Sequence, residues 1–504
     1  MSSRTNIIFI MSDDHAAHAI GAYGSRVNKT PHLDRLAAEG ARLDSVYCTN
    51  SICSPSRATI LTGTYSHING VSSIWTEIDY RVPTFIDVLK QHSDYQTAMF
   101  GKWHLGERGV SAPRNFDDWV VFPGQGDYVD PLMIDADGER VVPGYATDIV
   151  TDMAIDFIDR RDPERPFVMM VHHKAPHRPW IPDEKHRDLY PIGSIPEPET
   201  LFDNHATRSR AVQDVRMTIA DDMGIDDIKE EVPEHLRGPE NRQARARWKY
   251  QIYMRDYLQT VQSIDDNVGR LLGHLESVGL ADNTLVVYTS DQGFFLGDHG
   301  WFDKRLMFDE SLQMPMLMRW PAEIAPGSTL EAIITNVDFA ATFLDVCGLD
   351  PDAVLPTHQG RSFRPLLRGE AVADWPDAAY YRYWEHDDPI HHAPGHYGIV
   401  TADHKLIHYY GAGLGVPGAS DKVFEGEWEL YDRREDPLEL VNVADDPTYA
   451  DVRAELEARL VDLQREYRDE PYRGADTPHP EWGPYDHEIF DRIKEYVARI
   501  NATS

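Results

Sequence analysis

Four apolar runs, each ending in residues that carry charge or can move a proton, constrain this chain more than any other feature of its sequence. They are "NIIFIMSDD" (6–14), "YQTAMFGKWHLG" (95–106), "RPFVMMVHHKAPHRP" (165–179) and "DNTLVVYTSDQGFFLGDHG" (282–300). Their apolar residues are continuous rather than alternating, the pattern of a strand buried on both faces. Helical stretches lie between them. "TPHLDRLAAEGARLD" puts Leu33, Leu36 and Ala37 on one face, with Gly40 near its end; "YATDIVTDMAIDFIDR" and "YLQTVQSIDDNVGRLLGHLESVG" follow. Strands alternating with helices predict an α/β fold, a large mixed, mainly parallel sheet sandwiched by helices. In such sheets ligands bind beyond the carboxyl ends of the strands. That is where Asp, Lys and His gather here.

From about residue 370 the character changes. "AAYYRYWEH", "HYGIVTADHKLIHYY" and "GEWELYDRREDP" read as short aromatic antiparallel strands, and "TYADVRAELEARLVDLQREY" as a late helix. The expected organisation is a catalytic domain over 1–370 and a smaller C-terminal α+β domain over 371–504, built on an antiparallel sheet, that completes the substrate pocket. The stretch 185–245 is polar, acid-rich and weakly periodic, and is read as an insertion over one edge, a candidate lid.

Composition narrows the partners. The net charge of -35 opposes nucleic acid and anionic membranes. It also requires any anionic substrate to be met by local positive charge. The apolar run Ile7–Met11 is cut short by two aspartates, so it does not read as a secretory leader, and no stretch approaches the roughly 18 apolar residues of a membrane span. The three cysteines, at 48, 53 and 347, form neither a disulfide framework nor a zinc spacing. The expected compartment is the cytoplasm.

The strand ends supply the chemistry. Asp13 and Asp14 end one strand, and Asp291 with Gln292 ends another. Adjacent acids repel unless a cation lies between them, and Asp and Gln oxygens suit calcium or magnesium. The competing reading of an isolated "DD" is a solvated turn or helix cap; the matching end at Asp291 favours the metal. Lys102 and His104 share "GKWHLG", His177 lies in "PHRP", and Lys304 in "WFDKR". Lysines neutralise a tetrahedral oxyanion and histidines transfer protons, although each alone is more often a surface residue. His172 and His173 lie nearer the apolar run and read as supporting or structural.

In "SICSPSRATILTG", Cys53 precedes a Ser-Pro turn and the helix of "SRATILTG", with Arg57 one turn in. A helix N-terminus favours an anion, so a thiolate nucleophile is one reading; an inert buried cysteine is the other.

Cys53-Ser54-Pro55-Ser56-Arg57 followed by "ATILTG" resembles the signature of the type I sulfatases of the alkaline phosphatase superfamily, and "MSDDH", "GKWHLG", "PHRP", "TSDQG" and "DKRLMFDESLQMPMLMRWP" follow that family's order. The resemblance runs from about Asn6 to about Asp469. It implies that Cys53 is oxidised to formylglycine by a formylglycine-generating or other sulfatase-maturating enzyme. It implies that Asp13, Asp14, residue 53, Asp291 and Gln292 bind calcium, with magnesium the alternative; many relatives carry Asn or His where Gln292 stands. Arg57 would hold the formylglycine hydrate, Lys102 and Lys304 the sulfate oxygens. His104 would act on the hydrate, and His177 would protonate the leaving oxygen. The implied substrate is a small sulfate monoester, of an aryl alcohol or a sugar. "MSDDHAAHAIGAYG", "DQGFFLGDHGWFDKRLMFDESL" and "HYGIVTADHKLIHYY" resemble the branch that includes glucosamine 6-sulfatases. That makes His299, His391, His392 and His396 substrate-pocket candidates, with ordinary loop and strand histidines the other reading. Two other functions fit the same residues: a phosphonate monoester or phosphodiester hydrolase using the same site, and a silent binding protein whose cysteine stays unmodified.

Overall fold

The computed structural model describes residues 4–469. The expected 371–504 unit therefore extends, over 470–504, outside the described residues.

A ten-stranded sheet organises the chain. Its strands are β1 (Asn6–Ser12), β2 (Ala41–Leu43), β3 (Gln96–Lys102), β4 (Asp118–Phe122), β5 (Leu132–Asp135), β6 (Gly138–Val141), β7 (Phe167–His172), β8 (Thr284–Ser290), β9 (Met316–Arg319) and β10 (Ser328–Leu330). Their spatial order is β10-β2-β9-β8-β1-β7-β3-β4-β5-β6. The central strands β8, β1, β7, β3 and β4 are parallel, and antiparallel pairings flank them at β9 and at β5–β6.

Helices cover both faces: α1 (Pro31–Glu39), α2 (Cys53–Thr62), α3 (Ala146–Arg160), α4 (Arg242–Ser277) and α5 (Phe339–Val346). The period-two geometry of β1 shows why its sequence is apolar without a break. Ile7, Phe9 and Met11 pack with Ile60 and Leu61 of α2 and Phe339 and Phe343 of α5. Ile8 and Ile10 point the other way, to Val150 and Phe157 of α3 and Val268 and Leu272 of α4. Each such buried side chain contributes about 1.5–3 kcal/mol.

Two helices differ from the sequence reading. The helix expected over 257–279 begins at Arg242 and runs 36 residues. Its charged first half hides an apolar stripe, Ala246, Tyr250, Tyr253, Met254 and Tyr257, at helical spacing. The other difference is α2, which starts at Cys53 itself rather than after a turn, with Pro55 in the first turn, where its missing N–H costs nothing.

A second, four-stranded antiparallel sheet comprises β11 (Ala378–Tyr383), β12 (His396–Thr401), β13 (His404–Tyr409) and β14 (Glu427–Asp432) in that order. Tyr381, Tyr383, Val400, Ile407 and Tyr409 join the main core. Tyr380, Ile399, Leu406 and Leu430 pack instead on Leu456 and Leu460 of α6 (Ala450–Glu466). Of the stretch 185–245, the part before α4 begins at Arg242 carries only short helical turns, but it plants Ile195, Leu201, Ile219, Met223 and Ile228 against α4. Among the described residues no helix is long and apolar enough to cross a membrane.

Candidate active site

Parallel register brings the predicted residues to one place. Ser12 pairs with Ser290, so Asp13 and Asp14 emerge beside Asp291 and Gln292. The Asp14 amide donates to Asp291 Oδ1 at 3.2 Å, and Asp14 itself is left-handed at φ 66°. On the other side of β1, Gly101 of β3 pairs with His172 of β7. A Cβ on Gly101 would lie 1.9 Å from the His172 carbonyl oxygen, and its φ is +101°. That close approach explains the glycine before Lys102. Past the strand, His104 is also left-handed, at φ 55°, and its carbonyl accepts from Ser54 Oγ at 2.8 Å. Such strain persists where surrounding structure holds it, and here it aims two side chains inward.

Cys53 is the centre of the cluster. Its thiol donates to Asp13 Oδ1 at 3.3 Å, Lys304 Nζ lies 3.5 Å away, and Gln292 Nε2 3.8 Å. Arg57 Nε and Nη2 reach Asp291 Oδ2 at 3.0 and 2.8 Å, and Nη1 donates to the Lys102 carbonyl at 2.6 Å. Lys102 Nζ donates to Asp13 Oδ2, and Lys304 Nζ to Asp14 Oδ1 at 2.5 Å. His177 Nε2 faces Asp14 Oδ2 at 3.7 Å while Nδ1 donates to the Arg178 carbonyl at 2.6 Å. His172 supports the group from behind, with Nδ1 3.1 Å from the Lys102 carbonyl.

The electrostatics sort these groups. Burial alone would favour a neutral Asp13, but Lys102, with Arg57, holds its carboxyl well below the usual range. Burial raises Asp14 to about 7, against the pull of Lys304, and raises Asp291 with help from Asp13. Burial, reinforced by Asp13, pushes the Cys53 thiol up, so the unmodified residue is a protonated thiol. Burial, with Lys102 among the nearby cations, keeps His104 and His177 well below their usual value and hence neutral.

A divalent cation fits this donor set. Oxygens of Asp13, Asp14 and Asp291 lie within 4.8 Å of one another, and so do ligand atoms of Asp13, Cys53 and His177. Asp14 Oδ2 and Gln292 Oε1 are buried with no hydrogen-bond partner among the described residues. Orphaned buried oxygens are costly unless something binds them. A hard cation taking carboxylate and amide oxygens meets that need.

The four candidate pocket histidines have other surroundings. His299 lies between Asp203 and Glu310, 3.4 and 3.6 Å away; against the cost of burial, Glu310 and Asp203 raise it to about 9. His396 is fully buried among the rings of Tyr381, Tyr383 and Tyr409, and burial lowers it to about 4. His392 Nδ1 pairs with Asp387 at 2.8 Å. His391 alone touches the neighbourhood of the cluster, its Nε2 3.4 Å from Asp303, next to Lys304.

Sequence reasoning missed a charged wall beside Lys304. Arg305 Nη1 reaches Tyr383 Oη at 3.0 Å and Glu385 Oε2 at 3.1 Å, and Asp303 faces both His391 and Arg178. The available signal was the pair of charges flanking the lysine in "FDKR", both left-handed, at φ 77° and 91°.

Comparison with known proteins agrees with this architecture. Residues 5–349 match the family model described as Sulfatase, and 297–466 match N-sulphoglucosamine sulphohydrolase, C-terminal. The chain is similar to the N-acetylglucosamine-6-O-sulfatase of Bacteroides thetaiotaomicron, 42% identical over 93% of this chain and 88% of that one. A solved structure in complex with its substrate, D-glucosamine-2-N,6-O-disulfate, superposes with a TM-score of 0.85 at 41% identity, covering 94% of this chain and all of the other. The phosphonate monoester hydrolase of Agrobacterium radiobacter shares the fold, with a TM-score of 0.72 at 21% identity over 93% of this chain and 97% of that one. The chain belongs to the type I sulfatase family of the alkaline phosphatase superfamily and is a sulfuric ester hydrolase.

Proposed function

We propose that the enzyme hydrolyses the 6-O-sulfate of a glucosamine-type sugar, using a formylglycine hydrate made from Cys53. The observation that carries this reading is the position of residue 53. It lies at the buried start of α2, in reach of Asp13 and Lys304, with two orphaned ligand oxygens beside it. A thiol held protonated there is a poor nucleophile, whereas an aldehyde hydrate offers two hydroxyls. One gives its proton up to solvent and attacks sulfur, the bond from sulfur to the sugar oxygen breaks, and that oxygen takes the proton that His177 Nε2 has picked up from solvent on substrate binding. Neutral in the free enzyme, His177 gains proton affinity from the bound anion. The second hydroxyl then gives its proton to His104, the aldehyde re-forms, sulfate departs and water restores the hydrate. Lys102 and Lys304 stabilise charge on the equatorial oxygens and Arg57 holds the hydrate. Asp13, Asp14, Asp291 and Gln292 would hold a divalent cation, which we take to be calcium, and it would supply positive charge that makes the attacking hydroxyl more acidic.

The sugar reading rests on the Bacteroides relative and on the wall of Asp303, Arg305 and Glu385, whose polar atoms suit ring hydroxyls. We divide the chain near residue 370, with the C-terminal sheet completing the pocket. Tyr381 supports this: its Oη donates to the Arg305 carbonyl at 2.7 Å and accepts the Ser51 amide at 3.0 Å.

The test is a panel of purified substrates: glucosamine 6-sulfate, its N-acetyl and N-sulfo forms, 4-nitrophenyl sulfate and a phenyl phosphonate monoester. The 6-O-sulfated sugars should give the highest kcat/KM. Faster phosphonate hydrolysis would replace this reading with the phosphonate one.

A further inference from the structure

Lys174 is buried and takes no part in the chemistry above, yet it opens the same loop that presents His177, whose amide donates to the Lys174 carbonyl at 3.0 Å. Its Nζ donates to the backbone carbonyl of Gln125 at 3.2 Å and lies 5.0 Å from the centre of the Tyr128 ring. Among the described residues no carboxylate pairs with it. Burial, followed by repulsion from Lys102, lowers it to about 8. A buried ammonium without a counter-ion is costly, so its placement needs a reason.

Gln125 supplies one. Its side-chain Oε1 accepts from Lys102 Nζ while its main-chain oxygen accepts from Lys174 Nζ. The residue sits between Gly124 and Gly126, both left-handed, at φ 53° and 68°. The turn is closed by one backbone bond, from the Gly126 amide to the Pro123 carbonyl at 3.1 Å. Lys102 is thus drawn two ways, toward the ligand carboxylate Asp13 and toward a neutral amide on a loop anchored by a second lysine. We propose that Gln125 and Lys174 form a positioning clamp that keeps the Lys102 ammonium on the sulfate rather than collapsed on Asp13. The clamp uses a neutral acceptor because a carboxylate at 125 would neutralise the charge the sulfate needs.

The proposal rests on the sulfatase reading of the site, and sulfate binding separates the two. The variants are Gln125→Ala, Gln125→Glu, Lys174→Met and Lys174→Arg. Each is assayed on glucosamine 6-sulfate, titrated with inorganic sulfate by calorimetry, and melted. Hydrogen bonds to a charged group set the scale. Gln125→Ala and Lys174→Met should raise KM and the sulfate Kd by about tenfold with Tm nearly unchanged. Gln125→Glu should raise both by more, about a hundredfold, and Lys174→Arg should recover most of the loss. Gln125 is only half-buried, so its variants report even where Lys174→Met fails to fold. Unchanged sulfate Kd in both Gln125 variants overturns the clamp, as does a loss that follows Tm alone. A wild type that binds sulfate but leaves the sugar sulfate intact overturns the substrate reading and leaves the Kd comparison to decide the clamp.

Discussion

Two regions of this molecule bury clusters of charge, and they are built differently. At the apex of the parallel sheet, Asp14 Oδ2 and Gln292 Oε1 have no hydrogen-bond partner, and acids crowd against acids. At the seam between the two sheets the charges close on each other. Lys405 Nζ reaches Asp309 at 2.7 Å and Glu439 at 2.5 Å, and Arg433 pairs with Asp309. Lys102 at the apex and Lys405 at the seam are equally buried. Burial of charge therefore does not mark a site; orphaned ligand atoms around a buried residue of nucleophile type do. The apex accepts cost in order to bind, whereas the seam spends its charges on holding β13 to the segment after Lys304.

Breaking each region should have opposite signatures. Cys53→Ala should abolish turnover, a loss of at least about a thousandfold, while the melting curve stays close to wild type. Asp291→Asn should cost nearly as much, about a thousandfold, because it removes a proposed cation ligand and the partner of Arg57. Stripping divalent ions with a chelator should mimic it reversibly in the wild type and add little in the variant. At the seam, Lys405→Met leaves Asp309 and Glu439 short of a cation. Unfolding in urea should show a loss of about 3–5 kcal/mol, with KM of the folded fraction unchanged. A large kinetic effect with intact stability there would erase the distinction.

The smallest expected effect concerns His396. Its pKa is lowered from 6.5 to about 4 in the fold, chiefly by burial. The unfolded chain thus takes up a proton before the native one does, and the associated stability is lost as pH falls from about 6.5 toward 4. His396→Phe should gain on the wild type across that window, by up to about 3 kcal/mol. A difference that stays flat with pH would mean that His396 is already charged or solvated.

Much of the apex was legible because the site is written at strand ends. A buried parallel strand must be apolar, so Asp13, Lys102, His172 and Asp291 stand out where the apolar runs stop. The helix after Cys53 and the aromatic strands of the second sheet were legible for the same reason of period. Gln125, Lys174, Arg305 and Glu385 were not. Their roles come from contacts between segments far apart in the chain, which periodicity does not carry. The tyrosine cage of His396 is likewise invisible until β11, β12 and β13 pair. The early start of α4 was masked because its apolar stripe is made of tyrosines set among arginines.

We propose that the reacting group at position 53 is an aldehyde hydrate and not a thiol. Peptide mass spectrometry of protein with measured turnover, across the segment that contains residue 53, tests it directly. Formylglycine should be found at 53, in proportion to specific activity across preparations of differing maturation. Full activity in protein that carries only unmodified cysteine there would contradict the account.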